Sequence, residues 1–255
     1  MAFVEIGLER LCKSPPKWLA DCRIGLLCNA ASVDRNLRHC RALIDRKFPD
    51  QLTALFSPQH GFFAEQQDNM IESGDAIDPL LGIPVFSLYS TTRQPTPEMF
   101  DQIDVLIVDL QDAGTRVYTF IYTLSYCMET AAKLGKKILV LDRPNPVGGA
   151  AVEGNCLSPD CSSFVGRYPI PMRHGLTIGE LARLFNRQYG LGCELEVVKM
   201  SHWRRNMFFQ DTDLCWIPPS PNLAYVTSQS ARVAKPAAVA MIVARARAPS
   251  PTDPK

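Results

Sequence analysis

The feature that most constrains this chain is a series of apolar runs that do not alternate with polar residues. "RIGLLCNAAS" (23–32), "LTALFS" (52–57), "PVFSLY" (84–89), "DVLIVDL" (104–110) and "KKILVLD" (136–142) are near-continuous. A strand with one face in water alternates; a strand covered on both faces has no reason to. Between the runs lie segments of helical periodicity, Asn36 to Lys47 and Thr119 to Leu134, the latter stopped by Gly135. The order predicts an α/β fold, a doubly wound and largely parallel sheet with helices on both faces.

Beyond Pro144 the texture changes. "NPVGGAAVEGNCLSPDCSSFVGRYPIPMRHG" is rich in Gly, Pro and Ser and predicts a long surface excursion. "TIGE" at Thr177 is a capping box that opens a helix from Ile178 to Tyr189. "ELEVVKM" (194–200) alternates and predicts a half-buried strand, and "WIPPSPN" (216–222) a proline-stiffened loop.

At 255 residues the chain can bury a substantial core. Lys plus Arg number 27 against 26 for Asp plus Glu, with no basic stripe, so nucleic acid is not an expected partner. No apolar run approaches the ~20 residues of a membrane span, and the first segment lacks the layout of a signal peptide. The chain is therefore expected in the cytoplasm, away from membranes. Of the nine cysteines none forms a CxxC pair, and Cys156 and Cys161 have no second pair nearby. Buried free thiols are expected, with no metal and no cofactor.

In an open parallel sheet, ligands bind beyond the carboxyl ends of the strands. Those ends deliver Asn29 and Ser32; Gln59, His60 and Glu65; Tyr89; Asp109, Gln111, Asp112, Arg116 and Tyr118; and Asp142, Arg143 and Asn145. Asp109 and Asp142 can equally bond loop amides, and Arg116 and Arg143 can pair with them structurally. No GxGxxG follows the first strand, and neither a P-loop nor a GxSxG elbow occurs. Carboxylates, amides, arginines and tyrosines suit a polyhydroxylated or acidic small ligand, with a carboxyl as acid catalyst.

Five motifs in order, "SPQHGFFAEQQDNM", "DLQDAGTRVYTFIYT", "LDRPNPVGGAAVEG", "PMRHGLTIGELARLFN" and "WIPPSPNL", resemble the NamZ-type exo-β-N-acetylmuramidases from about Gly25 to Thr227. The resemblance implies a Rossmann-like domain over 1–150 and the start of a smaller C-terminal domain over 151–229, and residues 230–255 stand apart by composition as an atypical tail. It also implies hydrolysis that removes terminal N-acetylmuramic acid from peptidoglycan fragments, so a sugar or muropeptide is the expected partner. Glu65 is then the leading general acid, preceded by Ala64 where relatives commonly have Gly. Glu72, Asp112 and Glu153 compete for the second role, orienting the acetamido group of the sugar. Arg143 or Arg173 is expected to bind the lactyl carboxylate through its fork, with His174 and Tyr118 on hydroxyls.

The Ala/Arg/Pro-rich tail departs from the family pattern and reads as truncated or out-of-frame sequence, which leaves one wall of the cleft outside the chain. A non-catalytic muropeptide-binding module is the alternative function. A metal-dependent hydrolase using His60, Asp109 and Asp112 is a third.

Overall fold

In the computed structural model, which describes residues 3–59, 61, 74–90 and 92–225, the apolar runs become strands. In chain order the strands are β1 (Ile24–Cys28), β2 (Leu52–Ser57), β3 (Ala76–Ile77), β4 (Pro84–Ser87), β5 (Val105–Asp109), β6 (Lys137–Leu141), β7 (Glu153–Cys156), β8 (Pro171–Arg173) and β9 (Glu194–Val198). The helices are α1 (Gly7–Lys13), α2 (Cys40–Lys47), α3 (Pro97–Phe100), α4 (Phe120–Leu134) and α5 (Ile178–Gln188).

Seven strands form one sheet in the order β3-β4-β2-β1-β5-β6-β9, parallel except for β3. The sheet grows outward from β1 through β2 to β4, then β5 returns to the opposite flank of β1. This reversal sets a crevice between the carboxyl ends of β1 and β5, where Cys28 pairs with Asp109.

Each central strand buries both faces, which is why its run is continuous. On one face Leu27, Phe56, Leu106, Val108, Ile138 and Val140 pack with Phe120, Leu124 and Met128 of α4. On the other, Leu26, Leu55, Ile107, Leu139 and Leu141 pack with Leu8 and Leu11 of α1 and Ile44 of α2. Each such side chain contributes about 1.5–3 kcal/mol through the area it removes from water. The expected α/β sheet with helices on both faces is the fold observed.

Local chemistry adjusts the boundaries. The helix expected from Asn36 begins at Cys40 instead, because Asp34 Oδ1 accepts from the amides of Asn36 and Arg38 at 2.9 and 2.8 Å. Leu37, at φ 60°, completes that turn. Helix α4 ends at Gly135, whose φ of 64° is left-handed and costs glycine little.

The compositional break near 150 is not a break in the sheet. Residues after it form the hairpin β7–β8, and the chain then returns through α5 to add β9 beside β6. The part expected to start a second domain therefore completes the first sheet. Residues 230–255, expected to form the atypical tail, lie outside the described residues. Among the described residues no helix is long and apolar enough to cross a membrane.

Candidate functional site

At the switch point, β1 ends because its own side chains turn the backbone. Asn29 Oδ1 accepts from the Ala31 amide at 3.1 Å, and the Asn29 amide donates to Ser32 Oγ at 3.0 Å. Asn29 Nδ2 donates to the Pro219 carbonyl at 2.9 Å, so the proline-rich loop closes over this strand end. Neighbouring β5 ends in Asp109, fully buried, and Arg143 faces it from the end of β6 at 5% exposure. Arg143 Nε and Nη2 donate to the two carboxylate oxygens at 2.6 and 2.8 Å, and Nη2 also donates to the Val33 carbonyl at 3.0 Å. This fork edge is closed on an internal carboxylate, the structural pairing that the sequence left open beside the ligand reading.

A second cluster forms where the loop after β5 meets the residues after β8. Asp112 is 2% exposed and His174 3%. Asp112 Oδ2 accepts from the Gly114 amide at 2.9 Å and lies 3.2 Å from His174 Nε2. His174 Nδ1 accepts from the Leu176 amide at 3.2 Å, which assigns the ring proton to Nε2. Nε2 stands at ion-pair distance from the carboxylate without the alignment of a hydrogen bond, and Asp112 Oδ1 has no hydrogen-bond partner among the described residues. Leaving a buried acceptor unsatisfied costs about 1–3 kcal/mol, more for a charge, which a donor on a ligand would relieve.

Gly114 makes the tight exit from β5 possible. At φ 76° it is left-handed, and a Cβ there would lie 2.4 Å from Asn145 Oδ1 and equally close to Val147 Cγ2. Asn145 is held on both sides, accepting from the Val147 amide at 3.1 Å and donating to the Leu176 carbonyl at 2.9 Å.

The arginines expected to contact substrate instead secure the hairpin. Arg116 donates through Nη1 to the carbonyls of Asn155 and Ile170 at 2.7 and 2.8 Å, and its amide donates to Met172. Arg173 pairs with Glu153 at 3.0 Å and donates to the Val147 carbonyl. Glu153 is exposed on β7, so its carboxylate is engaged at the surface. Tyr118 is nearly buried, its ring 4.6 Å from that of Phe120. His60, Glu65 and Glu72 lie outside the described residues. Gln59, the residue before His60, accepts through Oε1 from Thr119 Oγ1 at 2.9 Å. The trio His60, Asp109 and Asp112 loses Asp109 to Arg143, and that metal-hydrolase reading goes with it.

The structure thus brings Asp112, His174 and Asn145 together, with Asn29 and the Asp109–Arg143 pair at the neighbouring strand ends. Residue-by-residue reasoning gave no contact to Thr119 or Pro219. The only signal for either was membership of the motif segments "VYTFIYT" and "WIPPSPN".

Asp142 takes the structural course open to it. Its Oδ1 accepts from the Gly179 amide at 2.8 Å and its Oδ2 from Thr177 Oγ1 at 3.0 Å, which docks the start of α5 on the end of β6. Burial pushes its carboxyl from the ordinary 3.8 up to about 6, against the pull of these bonds. A carboxyl raised in the folded state carries no penalty below the unfolded pKa and its full penalty above the folded one. The Asp142 contribution to stability should therefore fall between about pH 4 and 6, by about 3 kcal/mol at 1.36 kcal/mol per pKa unit. The difference in Tm between Asp142→Asn and wild type should shift toward the variant across that window. A pH-independent difference would refute this.

The comparisons with known proteins fit this architecture. The family described as exo-β-N-acetylmuramidase NamZ, N-terminal, matches residues 24–227. The peptidoglycan β-N-acetylmuramidase NamZ of Bacillus subtilis (strain 168) is 48% identical over 225 residues, 88% of this chain and 54% of that protein. The chain thus spans about half the length of this curated relative. A crystal structure of a DUF1343 family protein from Bacteroides fragilis NCTC 9343 superposes with a TM-score of 0.82 at 41% identity, covering 90% of this chain and 58% of that one. A second DUF1343 family protein from the same organism gives 0.74 at 33% identity, covering 89% and 59%. With a family model matched across most of its length and a relative at this identity, the chain belongs to the NamZ exo-β-N-acetylmuramidase family.

Proposed function

We propose that this chain carries the catalytic residues of a glycosidase that removes terminal β-linked N-acetylmuramic acid from the non-reducing end of peptidoglycan fragments. The observation that carries the reading is the buried Asp112 beside His174, with one carboxylate oxygen lacking a partner among the described residues. Identity of 48% to the Bacillus subtilis peptidoglycan β-N-acetylmuramidase supports the substrate class.

In this reading Glu65 protonates the leaving oxygen while the carbonyl oxygen of the sugar's own acetamido group closes on the anomeric carbon. Asp112 Oδ1 accepts the acetamido N–H and holds the group in line, while the Gly114 amide fixes the Asp112 carboxylate through Oδ2 with His174 beside it. Water then attacks the anomeric carbon, giving its proton back to Glu65 and reopening the acetamido group. Asp112 is preferred over Glu153 for the orienting role because Glu153 is exposed and paired with Arg173. Asn29, His60, Tyr118 and Asn145 are proposed as neighbours of the sugar at the same sheet edge. All nine cysteines are free thiols, which supports a reducing, cytoplasmic setting.

The test is release of the aryl alcohol from an aryl β-N-acetylmuraminide by the wild-type chain and its Asp112→Asn variant. Loss of a preorganised electrostatic contact at the reacting group should lower kcat by about 10²-fold or more, with KM little changed. An Asp112→Asn variant with near-normal kcat removes Asp112 from the mechanism. Calorimetric binding of N-acetylmuramic acid without any turnover would favour the binding-module reading.

A further inference from the structure

Away from the Asp112–His174 cluster, three ligand-type atoms converge beneath the switch point. The sulfurs of Cys28 and Cys40 and a ring nitrogen of His39 all lie within 4.8 Å of one another. Cys28 is the last residue of β1, His39 caps α2 and Cys40 opens it, so two elements meet here. Both cysteines are fully buried.

We propose that Cys28, His39 and Cys40 form a binding site for a thiophilic divalent cation of the zinc–cadmium class. His39 Nε2 lies 2.9 Å from the Asn29 carbonyl, so it donates there and the lone pair falls on Nδ1. Metal-bound histidines are held in this way, the remote ring N–H given to a backbone carbonyl. Nδ1 stands 4.0 Å from Cys40 Sγ. Tetrahedral bonds of about 2.0–2.3 Å put ligand atoms about 3.5–3.8 Å apart, so the three atoms need to close by only about 1 Å.

The chemistry balances without any oxidant. Two thiols lose their protons to solvent, their sulfurs and Nδ1 each donate an electron pair, and the cation sheds water in exchange. Two thiolates neutralise a divalent charge, so the filled site is neutral, as a buried site must be. Nδ1 now accepts from the Arg41 amide at 3.2 Å, the capping bond of α2, and the metal takes its place. A helix cap and two buried thiols explain each residue singly; a divalent ligand set explains why the three atoms share one spot.

This inference does not depend on the glycosidase reading. The full-length chain, stripped with a chelator and kept reduced, is titrated with cadmium and with zinc. One equivalent of cadmium per chain should raise a thiolate-to-metal absorption band, and zinc in excess should raise Tm. Serine at the exposed Cys156, Cys161 and Cys215 should leave both effects in place. Cys28→Ala and Cys40→Ala should each abolish the band. His39→Asn keeps a capping side chain but loses the imidazole, and should weaken cadmium binding while the variant stays folded. No band in the wild type, or a band that survives Cys28→Ala and Cys40→Ala, overturns the site. If a cysteine variant fails to fold, unchanged cadmium affinity in folded His39→Asn overturns it equally.

Discussion

Arg143→Met is expected to cost about 3–5 kcal/mol, because it strands the Asp109 carboxylate in a fully buried place. For a domain of this size that is about 6–20 °C in Tm, at about 2–4 °C per kcal/mol. The loss comes less from the attraction removed than from the charge left behind. Both Asp109 oxygens accept from Arg143, at 2.6 and 2.8 Å. The double variant Asp109→Asn with Arg143→Met removes both charges and should recover most of the loss, while the single variant should not. Thermal unfolding of wild type, both single variants and the double variant gives the coupling directly. If Arg143→Met unfolds within about 1 kcal/mol of wild type, the pair is not the internal brace described here. The pair also separates stability from substrate contact. A substrate-binding arginine would be expected to raise KM at unchanged Tm, whereas this one should lower Tm first.

How legible a feature was depended on how local its cause is. "LTALFS" became β2 with the same limits, because burial on both faces shows directly as an unbroken run. The capping box at Thr177 and Glu180 formed as read, since both of its bonds span only a few residues. By contrast, "ELEVVKM" alternates because β9 is the edge strand beside β6, with Glu194 and Glu196 turned outward. Alternation records exposure, not domain membership, so it could not say that this strand joins the sheet of the first 150 residues. The site was legible as a set of strand ends, with an aspartate–arginine pairing left open beside the ligand reading. Arg143 finds Asp109 across neighbouring strands, and His174 reaches Asp112 by way of the hairpin. Nothing in a single chain of letters distinguishes an arginine that braces from one that waits for a ligand. The Cys28–His39–Cys40 convergence escaped for the same reason: its members are close in the fold and spaced unlike any zinc motif.

Glu65→Gln is expected to lower turnover by about 10²–10⁴-fold on a substrate with a sugar leaving group, the range general acid catalysis supplies. That is about 3–5 kcal/mol of barrier at 1.36 kcal/mol per decade. The reasoning rests on the leaving oxygen. A departing sugar alkoxide is strongly basic and must take a proton as the bond breaks, and glutamine has none to give. An activated aryl leaves as a stabilised phenolate and needs far less protonation. In kcat/KM, which reports cleavage of the glycosidic bond and not the later water attack for which Glu65 is the base, the variant should therefore lose much less on an aryl β-N-acetylmuraminide bearing a good leaving group than on a disaccharide. Parallel kinetics on the two substrates, from pH 4 to 9, make the distinction. An equal loss of kcat/KM on both would assign Glu65 to positioning rather than protonation of the leaving group. Near-normal turnover of the disaccharide would remove it from the mechanism and return the acid role to the carboxylates after β2 and β5.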